Sequence, residues 1–305
     1  MATETTAGPD GDDGTVAWSA LSAETVARLT HADVANAASE ARWIVEAASG
    51  MSPAELAAAP ETPATVGGVA RLDTMVARRA AGEPLQYVLG RWAFRTLDLM
   101  VDGRVLIPRP ETEQLVDIAL EAVDRLRARR ADAVSVVDLG TGSGAVGLAV
   151  AVERESTRVV LTDVDESAVA VARANLTGLG RPATRVEIRS GSWFEALDPA
   201  TRGGLDVVVS NPPYVPDDEV LDPVVEDHEP HRALRGGPDG LDAAREILTA
   251  APRWLAPDGA VVLELGDGQL ATAVRLAESA GFSAVEVRRD LAGRDRFLYA
   301  TAPRP

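Results

Sequence analysis

The sequence predicts an α/β protein in which a mostly parallel sheet of seven strands ends in an antiparallel hairpin and follows a small all-helical domain. Three observations lead to this prediction. Apolar residues recur at helical spacing in the first part of the chain, and strand and helix patterns alternate from Val134 onward. Near the end, two strand patterns are separated only by a short turn, so they must pair antiparallel if they pair.

The composition excludes several kinds of chemistry. The 305 residues include no cysteine, all 30 basic residues are arginine, and only three histidines are present. Thiolate nucleophiles, thiolate metal sites and Schiff-base lysines are therefore excluded, and no metal site is expected. The net charge of −17 argues against nucleic-acid binding through bulk charge. Because no apolar run could span a bilayer and no signal peptide is evident, we expect a soluble, cytoplasmic protein with no membrane partner.

The sequence pattern divides the chain into four parts. Residues 1–16 are acidic and nearly free of apolar side chains, which is typical of a disordered tail. Residues 17–85 are rich in alanine and carry apolar residues at helical spacing, which predicts the helical N-terminal domain. Short strand patterns around turns predict a β-hairpin connector over residues 86–107, and residues 108–305 form the α/β domain.

The α/β domain opens on Pro108 and Pro110, which prevent helix formation until Glu111, where a helical apolar stripe begins. Alternation of strands and helices after it is typical of a parallel sheet with helices on both faces. The predicted strands are Val134–Leu139, Arg158–Asp163, Thr184–Arg189, Leu205–Ser210, Ala260–Leu265, Ala284–Arg288 and Phe297–Ala302. The predicted helices among them are Ala145–Glu153, Glu166–Leu176, Leu241–Leu255 and Leu270–Ala280.

A glycine-rich loop follows the first of these strands and opens a helix. Small residues let the backbone approach a ligand closely, and the helix start offers free amide donors. Asp163 ends the next strand, 21 residues after Gly142, where a carboxylate can accept both hydroxyls of a ribose. An ordinary tight turn is the alternative interpretation of such a loop. The predicted cofactor-binding residues of the loop are Gly140, Thr141, Gly142, Ser143 and Gly144.

Together, the glycine loop and Asp163 indicate a nucleoside cofactor at the carboxyl edge of the sheet. Both NAD and S-adenosyl-L-methionine fit this pattern. The third glycine of the dinucleotide motif is missing at its usual offset, and the sheet is predicted to end in a hairpin. These two features favour S-adenosyl-L-methionine.

The fourth strand is followed by an Asn-Pro-Pro-Tyr loop, which should face the same crevice. Pro212 and Pro213 have no amide hydrogen, so the loop is stiff and presents acceptors rather than donors. The Asn211 side-chain oxygen and the Pro212 carbonyl can bind the two hydrogens of a planar amino group and direct its lone pair at a methyl donor. Tyr214 offers a ring face to a flat substrate group. The alternative is a surface turn capped by asparagine.

A tryptophan after the third strand is the last candidate. Trp193 can flank an adenine ring with its indole, or it can be ordinary core packing. The pattern alone leaves both interpretations open.

These motifs resemble those of the S-adenosylmethionine-dependent methyltransferases with an Asn-Pro-Pro-Tyr loop, and specifically of the peptide chain release factor glutamine methyltransferases. The Ile-Pro-Arg-Pro-Glu-Thr-Glu run is the most specific part of the resemblance, because the Asn-Pro-Pro-Tyr loop is shared more widely. The resemblance covers nearly the whole chain after the acidic tail. The segments that carry it are Gly82–Tyr87, Leu106–Glu113, Val137–Gly144, Ser192–Phe194 and Asn211–Tyr214.

The resemblance implies a seven-stranded methyltransferase sheet and methylation of the glutamine amide in the Gly-Gly-Gln tip of class 1 release factors. It implies cofactor contacts at Gly140–Gly144, Asp163, Trp193 and Asn211, and a substrate glutamine held by Asn211–Tyr214. In this reading the catalytic residues are Asn211, Pro212 and Tyr214. The helical domain is assigned to docking of the protein substrate, and the enzyme is expected to be a monomer.

Two interpretations remain for the charged residues Arg109, Glu111 and Glu113. They either order a cover over the cofactor or form an ion-pair cluster at the start of a helix. The sequence does not choose between them.

Three other functions fit parts of the pattern. A glutamine methyltransferase acting on a ribosomal protein would use the same motifs. A methyltransferase acting on nucleic-acid amino groups is disfavoured, because Pro216–His231 holds seven carboxylates and no arginine beside the predicted site. An inactive cofactor-binding scaffold would have no reason to keep Asn211, Asp163 and the glycines together.

Overall fold

The computed structural model describes residues 15–129 and 132–303. The chain forms two compact units, with the boundary between Leu89 and Gly90. The predicted acidic tail lies almost wholly outside the described residues, so its disorder stays a prediction. Among the described residues, no helix is both long enough and apolar enough to cross a bilayer.

The first unit is helical in its described part. Its apolar faces meet in one core that includes Trp18, Leu29, Ile44 and Val76. The turn between the second and third helices is locally encoded, because Gly50 adopts a left-handed conformation and Ser52 forms a capping box with Glu55. The helices are α1 (Trp18–His31), α2 (Ala37–Ser49), α3 (Pro53–Ala58), α4 (Val66–Ala80) and α5 (Leu85–Leu89).

The predicted hairpin connector is wrong over its first residues. Residues 86–89 belong to helix α5, in which Leu85 and Val88 both join the core of the first unit. A short apolar run fits a strand or a helix equally well, and here burial at a spacing of three residues favours the helix. The hairpin itself follows, with β1 (Arg91–Phe94) paired antiparallel to β2 (Leu97–Met100).

The second unit contains the predicted sheet of seven strands. The strands are β3 (Val134–Leu139), β4 (Thr157–Asp163), β5 (Val186–Ser190), β6 (Leu205–Ser210), β7 (Leu255–Glu264), β8 (Ala284–Arg289) and β9 (Asp295–Thr301). Their order in the sheet is β5-β4-β3-β6-β7-β9-β8. Strands β3 to β7 pair in parallel, and β9 pairs antiparallel with both β7 and β8, which confirms the terminal hairpin.

Helices cover this sheet, and its core includes the fully buried Leu139, Val208, Ile247, Leu263 and Leu298. The helices are α6 (Thr112–Arg127), α7 (Ala145–Glu153), α8 (Glu166–Thr177), α9 (Pro223–His228), α10 (His231–Leu234), α11 (Asp242–Ala250) and α12 (Leu270–Ser279).

Four predicted boundaries of strands and helices are wrong by two residues or more. The fifth strand, expected from Ala260, begins at Leu255, and the last strand, expected from Phe297, begins at Asp295.

A proline is present at each of the other two boundaries. The strand expected from Thr184 begins at Val186, because residues 181–185 form a 3₁₀ turn with a proline in its first positions. The helix expected over Leu241–Leu255 ends at Ala250, where a second 3₁₀ turn contains Pro252. Proline has no amide hydrogen and cannot continue the helical ladder.

Close packing of α7 on the sheet depends on one glycine. A Cβ on Gly147 would lie 2.8 Å from Leu161 Cδ1 and 3.1 Å from Asp138 Cβ. Glycine therefore stands where alanine would otherwise favour the helix by about 1 kcal/mol.

We expect Gly147→Ala to lower the free energy of unfolding by about 1–3 kcal/mol, because the clash with Leu161 exceeds the gain in helix propensity. Gly178→Ala is the matched control: its Cβ would meet nothing closer than 3.9 Å, and its φ of −78° suits alanine. Chemical denaturation of both variants measures the difference. A Gly147→Ala protein as stable as Gly178→Ala would contradict the packing argument.

A candidate active site at the carboxyl edge of the sheet

One cavity lies at the carboxyl ends of the parallel strands. The loops after β3, β4, β5 and β6 line it, together with residues 104–112 and 230–233. The loop with the glycines and the loop with Asn211 therefore face the same space, as the strand pattern predicts. Among the described residues, no group of three or more acidic or histidine side chains could hold a metal ion.

The glycine loop has a backbone that other residues rarely adopt. Gly140, Gly142 and Gly144 have φ values of 69°, 55° and 88°. A Cβ on Gly140 would lie 3.2 Å from the indole ring of Trp193, so glycine also leaves room for that ring. This loop needs glycine for conformation and for space.

The buried carboxylate of Asp138 fixes the glycine loop through hydrogen bonds. Asp138 Oδ2 accepts hydrogen bonds from Thr141 Oγ1 at 2.6 Å and from the Gly147 amide at 2.9 Å. Burial raises the pKa of Asp138 to about 6, although both hydrogen bonds favour the ionised form. The carboxylate thus fixes both the loop and the start of α7.

A side-chain amide holds the same loop from the other side. Asn175 Nδ2 donates to the Ser143 carbonyl at 2.8 Å, while its Oδ1 accepts from the Met100 amide at 2.7 Å. Asn175 is buried in α8. Sequence reasoning missed it because its partners lie 32 and 75 residues away.

Asp163 ends β4 and lines the cavity. Its Oδ2 accepts the Gly142 amide at 2.9 Å and its Oδ1 accepts the Asp165 amide at 2.9 Å. Burial raises the pKa of this carboxyl, and the amide hydrogen bonds partly oppose that effect. Each carboxylate oxygen has further lone pairs, so the group can accept more donors from the cavity.

Trp193 follows β5 and begins a 3₁₀ turn with a positive φ of 41°. Its indole faces Gly140 across the cavity lining, and its Nε1 donates to Glu246 Oε2 at 3.0 Å. The ring is also packed against the core of the sheet. Packing in the core and contact with a ligand in the cavity are therefore compatible for Trp193, because the ring packs against the core and the residue also lines the cavity.

The four residues of the Asn-Pro-Pro-Tyr loop are not equally placed. Asn211 and Pro213 line the cavity, whereas Pro212 is buried. Tyr214 lines an adjoining cavity, where the guanidinium of Arg296 lies 5.7 Å from its ring centroid. Substrate contacts by Pro212 and Tyr214 stay predictions.

A short chain of hydrogen bonds connects the Asn211 side chain to Thr112 and Glu264. Its Nδ2 donates to Thr112 Oγ1 at 3.2 Å, and Thr112 also hydrogen bonds to the carboxylate of Glu264. Glu264 is 1% exposed, and burial raises its pKa to about 7. The signal for Thr112 was its place in the Arg-Pro-Glu-Thr-Glu run, whereas nothing in the strand pattern marked Glu264.

The charged residues around the start of α6 form two ion pairs and one hydrogen bond with a backbone amide. Arg109 lines the cavity and pairs with Glu229, a 2% exposed carboxylate that also accepts the Ile107 amide at 3.1 Å. Glu111 pairs with Arg294, and Glu113 accepts the Arg95 amide. Arg109 thus belongs to the cavity lining, while the two glutamates make structural contacts.

The acidic segment Pro216–His231 is less free than its composition suggests. Glu229 is buried against Arg109, and Glu226 pairs with Arg235. Asp217, Asp218 and other carboxylates of the segment are exposed or half-buried. The negative charge near the cavity is real but smaller than a count of seven carboxylates implies.

Comparison with known proteins agrees with the division of the chain into two units. The family model of the PrmC N-terminal domain matches residues 20–90, and that of the methyltransferase small domain matches residues 114–229. A solved methyltransferase from Pyrococcus furiosus shares the fold, with a TM-score of 0.50 and 19% identity over 76% of this chain and 99% of its own.

Curated relatives match at nearly full length. The release factor glutamine methyltransferase of Agrobacterium fabrum is 38% identical over 94% of this chain and 98% of its own length. That of Geobacter sulfurreducens is 39% identical, covering 88% and 91%, and that of Mycolicibacterium smegmatis is 40% identical, covering 76% and 80%. With the glycine loop, Asp163 and Asn211 around one cavity, this chain belongs to the family of release factor glutamine methyltransferases.

Proposed function

We propose that this chain transfers the methyl group of S-adenosyl-L-methionine to the side-chain amide nitrogen of the glutamine in the Gly-Gly-Gln tip of class 1 release factors. One observation carries the proposal: the Asn211 carboxamide and the glycine loop with Asp163 line the same cavity in a chain of this family. The first group suits an amide substrate, and the second suits a nucleoside.

The residues at the glycine loop fit S-adenosyl-L-methionine. Gly140 and Gly142, both with positive φ, bring the backbone to the cavity wall without side chains in the way, whereas Gly144 does not line the cavity and its assignment to the cofactor stays a prediction. We assign Asp163 to the ribose hydroxyls and the Trp193 indole to the adenine. We assign Thr141 and Ser143 to the same backbone cradle, since both also line the cavity.

The chain's own part in the reaction is orientation. S-adenosyl-L-methionine supplies an electrophilic methyl group when bound. The Asn211 side-chain oxygen and the Pro212 carbonyl accept the two amide hydrogens of the substrate glutamine, which turns the nitrogen lone pair toward that methyl group. The nitrogen would gain the methyl group as the methyl–sulfur bond breaks and the electron pair stays on sulfur, which leaves as a neutral thioether. The nitrogen then releases a proton to water, so no strong base is needed. Pro213 stiffens this corner, and Tyr214 supports the flat substrate group.

The protein partner is a release factor, and we assign its docking to the helical unit. This unit carries the match to the PrmC N-terminal domain, and none of its described residues lines the cavity. We further propose that the enzyme acts as a monomer and does not bind nucleic acid, because exposed carboxylates such as Asp217 and Asp218 lie just beyond the Asn211 loop.

Labelled S-adenosyl-L-methionine tests the function directly. The protein is incubated with a class 1 release factor, with the same factor carrying Gln→Ala in the tip, with a ribosomal protein fraction, and with DNA. We expect label in the first release factor only. Label in the ribosomal fraction or in DNA, with none in the release factor, would replace the proposed substrate.

We expect Asn211→Ala to lower kcat by about 10²–10³-fold, or ~2.7–4 kcal/mol, while S-adenosyl-L-methionine binding is retained. The oriented acceptor is lost, whereas the glycine loop and Asp163 are untouched. Thr201→Ala, in a 3₁₀ turn of the second unit outside the cavity lining, is the control with an expected kcat equal to that of the parent. Undiminished turnover by Asn211→Ala would refute the orientation mechanism.

We expect Asp163→Ala to weaken S-adenosyl-L-methionine binding by about 1.5–3 kcal/mol, the range for hydrogen bonds to a charged group. Isothermal titration calorimetry measures this change. Asp198→Ala removes a carboxylate that accepts the Ala200 amide at the start of a 3₁₀ turn outside the cavity, and should bind as the parent does. Equal affinities of the two variants would remove Asp163 from the ribose site.

A further inference from the structure

The direction of one side-chain amide decides whether the proposed mechanism works. An asparagine amide has an acceptor oxygen and a donor nitrogen of nearly the same size. Only the oxygen can bind the hydrogens of a substrate amide, so Asn211 must present Oδ1 rather than Nδ2 to the substrate. The group that binds the other atom of the amide therefore controls its function.

That partner is Thr112, whose hydroxyl stands between two groups. A hydroxyl has one hydrogen and two lone pairs. Thr112 Oγ1 lies 3.2 Å from Asn211 Nδ2 and is hydrogen bonded to the Glu264 carboxylate. An ionised carboxylate only accepts, so it takes the hydroxyl hydrogen and leaves a lone pair that can accept from Nδ2.

The fold places Glu264 beside Asn211 by strand register. Ser210 of β6 pairs with Leu263 of β7, so the next residue of each strand is Asn211 and Glu264. Thr112 is the first residue of α6 and is 4% exposed. Thr112 and Glu264 are thus held on regular elements, Asn211 directly follows one, and water has little access to Thr112 and Glu264.

A buried glutamate at this position needs an explanation that packing does not supply. Glu264 is 1% exposed, and its Oε2 has no hydrogen-bond partner among the described residues. Leaving such an oxygen unpartnered costs free energy, and an apolar side chain would avoid that cost. The carboxylate does not line the cavity, so it does not touch the substrate.

We propose that Glu264 is a positioning residue: through the Thr112 hydroxyl it holds the Asn211 carboxamide with its oxygen toward the substrate. This inference rests on the proposed function. A neutral side chain at 264 could donate to Thr112, whose hydrogen would then be free to donate to Asn211 Oδ1. The amide could then turn over and present its nitrogen to the substrate.

The arrangement also makes the amide direction depend on pH. Burial raises the pKa of Glu264 to about 7, Arg296 and Arg109 oppose the rise, and Glu111 adds to it. Tyr214 is a further titratable neighbour of Glu264, and burial raises its pKa, so it stays neutral near pH 7. Above pH 7 the carboxylate accepts from Thr112 and kcat is high. Below it, the protonated acid donates and kcat falls.

Kinetics of Thr112→Val and Glu264→Gln test the proposal. We expect each to lower kcat on a release factor by about 100-fold, the cost of misplacing a reacting group. The KM of the release factor and the affinity for S-adenosyl-L-methionine should change little. Thr112→Ser should restore most of the rate. The matched control is Thr157→Val, which removes a buried hydroxyl from the opposite end of β4.

The double variant separates positioning from general damage to the fold. If Glu264 acts through Thr112, Thr112→Val combined with Glu264→Gln should be no slower than either single variant. Losses that multiply would overturn the proposal, as would an unchanged kcat in Thr112→Val. The fall of kcat below pH 7 should be absent in Glu264→Gln, whose rate is low throughout.

A measurement without turnover keeps this proposal separate from the proposed function. The chain has three asparagines, so selective ¹⁵N labelling of asparagine gives three side-chain amide signals, and Asn211→Ala identifies the one of interest. We expect that signal to shift with a midpoint near pH 7 in the parent and to stay fixed in Glu264→Gln. A fixed signal in the parent would overturn the positioning role, whatever the substrate. Failure of release-factor methylation by the parent alone would refute only the function.

Discussion

The site depends on the register of β3 against its two neighbours. Parallel pairing of β3 with β4 and with β6 brings three strand ends to one edge. The glycine loop, Asp163 and Asn211 each follow or end one of these strands, so one set of backbone hydrogen bonds sets their relative positions. A slip of one residue would turn every side chain of the slipped strand to the opposite face and destroy the cavity.

Around that edge the chain uses buried or half-buried carboxylates as fixed acceptors. Asp138 accepts from the glycine loop and α7, Asp163 accepts from Gly142 and Asp165, and Glu264 accepts from Thr112. Burial raises the pKa of all three. A chain without lysine or cysteine thus fixes its loops with carboxylates, although burying these charged groups costs free energy. The reaction we propose depends on holding groups in fixed positions, which these carboxylates achieve.

The sequence predicted what neighbouring residues encode. The seven strands, the terminal hairpin and the cavity position of Gly140, Asp163 and Asn211 follow from patterns within a few residues of each strand end. Helix α5 is an exception, because its short apolar run fits the residue spacing of a strand and of a helix equally well. Only its packing in the first unit favours the helix. Contacts between distant residues had no signal: the Asn211–Thr112 pair spans 99 residues, and the burial of Glu229 depends on Arg109 far upstream.

The ion pair between Arg109 and Glu229 has a consequence for how a ligand enters and leaves the cavity. It joins two chain segments 120 residues apart, and residues next to each partner line the same cavity. Glu229 is almost wholly enclosed, so separating the pair would strand a charge away from water. Separating these two segments therefore costs free energy. A molecule the size of a nucleoside should enter and leave the cavity most readily on a side that the Arg109–Glu229 ion pair does not close.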